Sequence, residues 1–97
     1  MTNAPESEAV LAFIRERQAE VLAEAIRQLS TCTREELPQV VHAISGSVGS
    51  YQLTDAHDRI AALAAVLKDP TATGADVETS WSQTLSALRE METSPPS

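Results

Sequence analysis

The stretch VVHAISGSVGSY, residues 40–51, combines a helical repeat of apolar residues with a histidine on the opposite side. An α-helix turns by about 100° per residue. The apolar residues that fall within about 40° of Leu37 by this count are Val41, Ile44 and Val48. His42 falls at about 140° and Gly46 at about 180° from the same direction. The spacing therefore predicts an amphipathic helix that buries its apolar face and exposes His42 to solvent.

The residues beside His42 have very small side chains. Gly46 and Gly49 both fall on the outward side of this helix, and serines flank them. A glycine inside a helix is less favourable than alanine by about 0.5–1 kcal/mol, so two of them need an explanation. One explanation is close helix packing or a fraying helix end, which suits Gly49 in particular. The other is clearance, because bare backbone lets the surface of another protein approach the imidazole.

A long first helix is expected from about Ser7 to Leu29. Its apolar residues recur at steps of three and four, which predicts one continuous face toward the core. The residues of this stripe are Val10, Ile14, Val21, Leu22, Ala25, Ile26 and Leu29. The other side carries the acidic row Glu16, Glu20 and Glu24, which we interpret as a solvated face.

Capping signals delimit the other helices. Thr33 begins the sequence TREE, so Glu36 can close a capping box before the second helix. Thr54 is expected to be the N-cap of the third helix, and residues 73–76 offer a cap for a fourth that runs to about Met91. The further core positions expected are Val40 and Tyr51 in the second helix, Ala56, Ile60, Leu63 and Leu67 in the third, and Val77, Trp81, Leu85 and Leu88 in the fourth.

Four amphipathic helices joined by short links predict an all-α fold, an antiparallel up-down-up-down four-helix bundle. The bundle is expected to comprise residues 7–91. Residues 1–6 are expected to be a flexible N-terminus and residues 92–97 a disordered C-terminal tail. A chain of 97 residues holds one domain of this kind.

Composition narrows the classes of partner. The chain has 7 basic and 14 acidic side chains, a formal charge of −7, which argues against nucleic acid or an anionic membrane. Its one cysteine, Cys32, cannot form an internal disulfide. The first ten residues do not have the pattern of a signal peptide, and the longest apolar run, 61–67, is too short to span a bilayer. We therefore expect a cytoplasmic domain that binds proteins or small molecules. We also expect it to be a monomer.

The sequence from His42 to Ser47, HAISGS, resembles the motif of the histidine-containing phosphotransfer (HPt) domain of bacterial phosphorelays. The usual pattern in that family is H-x-[LI]-K-G-[SA], with a second glycine six residues later. His42 matches the phosphoacceptor, Ile44 the hydrophobic position, Gly46 the motif glycine and Ser47 the small residue. The resemblance extends over the second and third helices, and the four-helix arrangement extends it to the whole chain.

The resemblance implies a phosphorelay carrier. His42 would accept a phosphoryl group from the aspartyl-phosphate of a response-regulator receiver domain, or from a hybrid sensor kinase, and pass it to another receiver. Mg²⁺ is expected on the receiver, so this chain needs no cofactor or metal of its own. The three glycines form no nucleotide-binding loop, so no kinase activity is expected. The docking surface would be centred on His42, with Gln39, Ser45, Gly46 and Gly49 around it.

Three departures from the family pattern keep alternatives open. Ser45 stands where the family usually has lysine, Gln52 where it has the second glycine, and Ala64 where many members place a glutamine or glutamate beside the imidazole. They favour, as the main alternative, a helical interaction module of the same fold that lacks phosphotransfer. A conventional enzyme that uses Glu35 or Glu36 with His42 as acid and base has no positioned nucleophile to support it. The other histidine, His57, is interpreted as an ordinary boundary residue, and no metal site is expected.

Overall fold

The structure of the chain is a computed structural model, which describes the backbone of residues 4–93 and the side chains of residues 8–93. It contains four helices: α1 (Ala4–Thr31), α2 (Leu37–Ser50), α3 (Thr54–Lys68) and α4 (Gly74–Thr93). Within residues 4–93 there is no strand. The predicted all-α four-helix bundle is confirmed.

The predicted capping boxes are present, while the third cap differs from the prediction. The Thr33 N–H donates to Glu36 Oε1 (2.9 Å) and the Glu36 N–H to Thr33 Oγ1 (3.2 Å), ahead of α2. Thr73 and Asp76 exchange equivalent bonds of 3.0 and 3.1 Å before α4. Thr54 is not an N-cap but the first helical residue, because the carbonyl of Leu53 already accepts the first helical bond of α3, from the N–H of His57 (2.8 Å).

Helix α1 begins at Ala4, three residues before the predicted start, and α4 continues two residues past Met91 to Thr93. The predicted flexible N-terminus, residues 1–6, includes residues 1–3, and the predicted disordered tail, residues 92–97, includes residues 94–97. Residues 1–3 and 94–97 lie outside the described residues. These two expectations stay predictions.

One apolar core joins the four helices. Its buried hydrophobic residues are Leu22, Ala25, Ile26, Leu29, Leu37, Val41, Ile44, Val48, Ala56, Ile60, Leu63, Val77 and Leu88. Trp81 packs against this core and donates its indole N–H to the carbonyl oxygen of Leu29 (2.9 Å), so it serves as the anchor that its helical spacing predicted. Thr84 is buried with them, which the apolar pattern of α4 did not predict.

Contacts between neighbouring helices indicate their relative direction. Gln18, near the middle of α1, donates to the carbonyl oxygen of Tyr51 after the end of α2 (2.8 Å). The contact of Trp81 with Leu29 joins the first half of α4 to the end of α1. Gly49 near the end of α2 faces His57 near the start of α3. Each of these pairs fits neighbours that run in opposite directions, as the short links require.

Three predicted core residues are exposed. Val10 and Ile14 of α1 are 56% and 40% exposed, because this part of the helix projects beyond the other three and meets no partner there among the described residues. Tyr51 is 38% exposed, since it lies after the end of α2 at the C-cap, where the helical repeat no longer sets its direction. The stripe of α1 faces the core only in its second half, from Val21 onward.

Candidate functional site

Helix α2 has one buried and one exposed face, as its sequence predicted. Leu37, Val41, Ile44 and Val48 are all buried. His42 is exposed on the other side, together with Gln39, Gly46 and Gly49, and Ser45 is half-buried at the edge. Because the buried residues hold α2 against the core, the position of His42 is fixed by the packing of the opposite face.

A shallow groove between α2 and α3 runs beside His42. The residues that line it are Pro38, Val41, His42 and Ser45 from α2, and Ala64, Leu67 and Lys68 from α3. The groove thus combines an imidazole, a hydroxyl and an ammonium group with an apolar floor. Gln39, Gly46 and Gly49 lie outside this lining, on the open surface of α2.

Lys68 is the residue of this groove that sequence reasoning missed. It lies in the last turn of α3 and is the only lysine in the chain. Residues four apart on a helix share a face, so Lys68 follows Ala64 along the same side of α3. That spacing was the available signal. The ion pairs within the described residues join Arg17 to Glu20 and Arg27 to Glu24, which leaves the Lys68 ammonium without a carboxylate partner there.

The two outward glycines of α2 have different surroundings. A Cβ atom added to Gly46 would meet nothing within 4 Å, so the backbone at this position is open to solvent. A Cβ atom added to Gly49 would lie 3.5 Å from Cδ2 and 3.8 Å from Nε2 of His57. Gly46 therefore leaves open space for another molecule, whereas Gly49 takes part in the packing of α2 against α3.

The end of α2 has a conformation that favours glycine. Gln52 has a φ of 59°, in the left-handed region. The Leu53 N–H donates to the Val48 carbonyl (3.0 Å) and the Gln52 N–H to the Gly49 carbonyl (3.1 Å), the pair of bonds that defines a Schellman motif. The residue at the position of Gln52 in this motif is usually glycine. The backbone here thus adopts the conformation of a glycine although the side chain is glutamine.

The remaining titratable groups do not assemble a second centre around His42. The Glu36 carboxylate accepts a hydrogen bond from the Thr33 N–H in the turn before α2, and neither Glu35 nor Glu36 lines the groove. Burial and the nearby Glu36 carboxylate raise the pKa of the Cys32 thiol, which makes it a poorer nucleophile at neutral pH. No three His, Cys, Asp or Glu side chains among the described residues are grouped so as to hold a metal ion.

The acidic row of α1 is a solvated surface, as interpreted from the sequence. Arg17 pairs with Glu20 at 3.0 Å, and Arg27 pairs with Glu24. The hydrogen bonds from Arg27 and from Gln28 lower the pKa of Glu24 to about 2. Arginines of the same helix thus partly neutralise the row.

Comparison of the chain with protein-family models, with curated proteins and with solved structures finds no match. A further finding is that none of the helices within residues 4–93 has the length and apolar character to cross a membrane. The chemical content of the site is thus an exposed imidazole on a rigid helix, open backbone beside it, and one ammonium group across a shallow groove. Such a site can present a nucleophile to another macromolecule, but it does not enclose a small substrate.

Proposed function

We propose that this domain is a phosphorelay carrier, which accepts a phosphoryl group on His42 from the aspartyl-phosphate of a receiver domain and passes it to a second receiver. The observation that carries the proposal is the exposed His42 on a helix whose opposite face is fully buried, with open backbone at Gly46 one turn away. A partner can therefore cover the imidazole without displacing a side chain at Gly46. The donor would be a response-regulator receiver or a hybrid sensor kinase in the cytoplasm.

The transfer requires little from this chain besides position. Neutral imidazole has a free lone pair on one nitrogen, and this nitrogen attacks phosphorus. The P–N bond forms while the P–O bond to the aspartyl carboxylate breaks, so the carboxylate leaves as an anion and the second ring nitrogen keeps its proton. Positioning and charge neutralisation dominate such reactions, and Mg²⁺ on the receiver would supply most of the latter.

Lys68 is the residue of this chain that can add positive charge. Ser45 stands where the resembling family has lysine, and its hydroxyl provides a hydrogen bond but no charge. Lys68 lines the same groove from α3, so its ammonium group would approach a phosphoryl group on His42 from the other side. An exposed ion pair contributes about 0.2–1 kcal/mol. Loss of Lys68 should therefore slow transfer by up to several-fold without abolishing it.

The test is direct phosphorylation of the purified chain. Wild type is incubated with a phosphorylated receiver or with a small phosphoramidate donor, and intact mass is measured after acid and after base. We expect a mass increase that is acid-labile and base-stable, absent in His42→Gln and retained in the matched control His57→Gln. Label that persists in His42→Gln would refute His42 as the acceptor.

The charge of the groove is tested on the same assay. Lys68→Ala should reduce the rate of labelling several-fold, and Lys68→Arg should restore it, because arginine keeps the charge. Arg59→Ala is the matched control, since Arg59 is an exposed cation of the same helix outside the groove. Equal effects of Lys68→Ala and Arg59→Ala would show that net charge, and not the groove, matters.

A second candidate is a binding module of the same fold that has lost phosphotransfer. Ala64 has no polar group that could orient the imidazole. The His42 ring also forms no hydrogen bond with any of the described residues. Binding of several phosphorylated and unphosphorylated receivers without any label would favour this candidate. Its binding surface would again be centred on His42.

A further inference from the structure

The first part of α1 extends beyond the rest of the bundle. Gln18 contacts the carbonyl oxygen of Tyr51, the residue that follows the end of α2. Met91, near the end of α4, lies across a surface depression from Leu22. Residues 8–17, which we name the α1 extension, therefore continue past both neighbouring helices, by about 15 Å at 1.5 Å per residue. The molecule is accordingly elongated, 59 Å long and about 20 Å across.

The α1 extension exposes four large apolar side chains. They are Val10 (56% exposed), Leu11 (50%), Phe13 (58%) and Ile14 (40%). At about 100° per residue these four fall within an arc of about 160° on one side of the helix. Large apolar side chains exposed together on one side of a helix mark an interaction site more often than solvated surface, although the Arg17 guanidinium, 5.3 Å from the centroid of the Phe13 ring, covers part of one of them. The core of the bundle does not cover it, because the other helices end before it.

Charged residues define the edge of this apolar face. Glu8 and Arg15 are seven residues apart, so they lie within about 20° of each other, just outside the Leu11 side of the arc. When two copies of a helix pair antiparallel about a two-fold axis, the same edge of each copy meets. When the two-fold axis passes between residues 11 and 12, Glu8 of each copy faces Arg15 of the other copy, which gives two equivalent ion pairs. In a parallel pair in register each edge would instead meet the opposite edge of the partner helix, so Glu8 would not face Arg15.

We propose that the α1 extension binds a second copy of this chain as an antiparallel pair, with its apolar face at the centre and two Glu8–Arg15 ion pairs at the edge. The two bundles then lie at opposite ends of the paired extensions. His42 lies nine residues before Tyr51 on α2, away from the extension, so both copies keep the surface around His42 open. A monomer was expected from the sequence, and the uncovered apolar face is the reason to propose a dimer. The inference does not depend on phosphotransfer.

The mass of the full chain in solution tests the apolar part of the proposal. Light scattering coupled to size exclusion, over the micromolar range, should give the mass of a dimer for wild type. Phe13→Glu should give a monomer with unchanged helical circular dichroism, because Phe13 lies outside the bundle core. A wild-type monomer throughout this range would overturn the proposal. A dimer that survives Phe13→Glu would place the interface elsewhere and overturn it as well.

Charge reversal tests the antiparallel register. Glu8→Arg and Arg15→Glu should each weaken the dimer several-fold, measured by sedimentation equilibrium, and the double variant should restore it, since every pair is then reversed but intact. Glu16→Arg is the control, because Glu16 lies about 140° from the middle of the apolar arc and carries the same charge as Glu8. The register would be contradicted if the dimer of the double variant were weaker than the dimers of both single variants. It would also be contradicted if Glu16→Arg weakened the dimer as much as Glu8→Arg does.

Discussion

The two histidines lie along the same boundary between α2 and α3, each next to a glycine of α2, yet their surroundings differ. We call the first surface the His42 patch, formed by His42, Ser45, Gly46 and Lys68. The second, the His57 patch, is formed by His57, Gly49, Gln52, Leu53 and Thr54. In the His42 patch the imidazole is exposed and the space beside Gly46 is open. In the His57 patch the imidazole is half-buried and lies against Gly49.

A glycine beside a histidine therefore plays one of two different physical roles in this molecule. At Gly49 it lets a neighbouring side chain of the same molecule pack against the helix backbone. At Gly46 no atom of the described residues uses the space, so the space is available to another molecule. In the sequence both are outward-facing glycines of α2, and only the position of α3 distinguishes them.

The largest expected effect follows from filling the open space. Gly46→Arg should reduce the rate of phosphoryl transfer from a receiver domain tenfold or more, because a long side chain would block the approach of the partner to His42. Transfer from a small phosphoramidate should not change, since that donor needs no such clearance. Rates from rapid-quench mass spectrometry with both donors check this.

Gly49→Arg is the comparison variant for this prediction. Gly49 is exposed but lies against His57, farther along α2, so its arginine should reduce transfer from the receiver less than the one at residue 46. If the two variants reduced it equally, the docking surface would extend over both patches. If both lost transfer from the small donor, damage to the fold would be the cause.

The next largest effect is expected in the rates at which the two imidazole rings react with a modifying reagent. Diethyl pyrocarbonate acylates neutral imidazole, so exposed His42 should react several-fold faster than half-buried His57. Peptide mass mapping during the reaction measures both rates in one sample. Gly46→Arg should leave both modification rates unchanged, since this reagent, like the small phosphoramidate, needs no clearance at residue 46. A faster reaction of His57 would contradict the difference between the patches.

Much of the fold could be predicted from the sequence because local physics determines it. The apolar repeat of α2 predicted which residues are buried, and the capping box at Thr73 predicted where α4 begins. The box at Thr33 closes a turn instead, and α2 begins only at Leu37. The exposure of Val10 and Ile14 could not be predicted, since it depends on the lengths of the other helices and not on the pattern of α1. A periodic stripe indicates a face but not what covers it.

The site was predictable in the part that lies on one helix. His42, Gly46 and their outward direction follow from the helical repeat of α2. Lys68 was not assigned to the site: its spacing from Ala64 places it on the same side of α3, but its position beside His42 depends on how α3 is placed beside α2. The conformation of Gln52 was also unpredictable, as glutamine gives no signal for the left-handed region that the Schellman motif requires.

A stability effect is expected at the boundary of the His57 patch. Gln52→Gly should raise the free energy of unfolding by about 0.5–1 kcal/mol, because a left-handed conformation costs a non-glycine residue about 1–2 kcal/mol and glycine loses more backbone freedom on folding. Urea denaturation followed by circular dichroism measures the change. Ser50→Gly, two residues earlier and inside α2, is the control and should lower stability. A lower stability of Gln52→Gly would mean that residue 52 is not left-handed.

The smallest effect distinguishes the two glycines themselves. Gly46→Ala should stabilise the chain by about 0.5–1 kcal/mol, because residue 46 lies in the interior of α2 and its methyl group meets no atom within 4 Å. Gly49→Ala should stabilise it by a few tenths of a kcal/mol less, since residue 49 lies in the last turn, where helix propensity contributes less. Its methyl group would contact His57 at ordinary van der Waals distance, so no clash opposes it. Thermal and urea unfolding of the two variants side by side give the difference. A clear loss of stability in Gly49→Ala would mean that His57 packs closer to α2, and Gly49 would then be required by packing, as Gly46 is not.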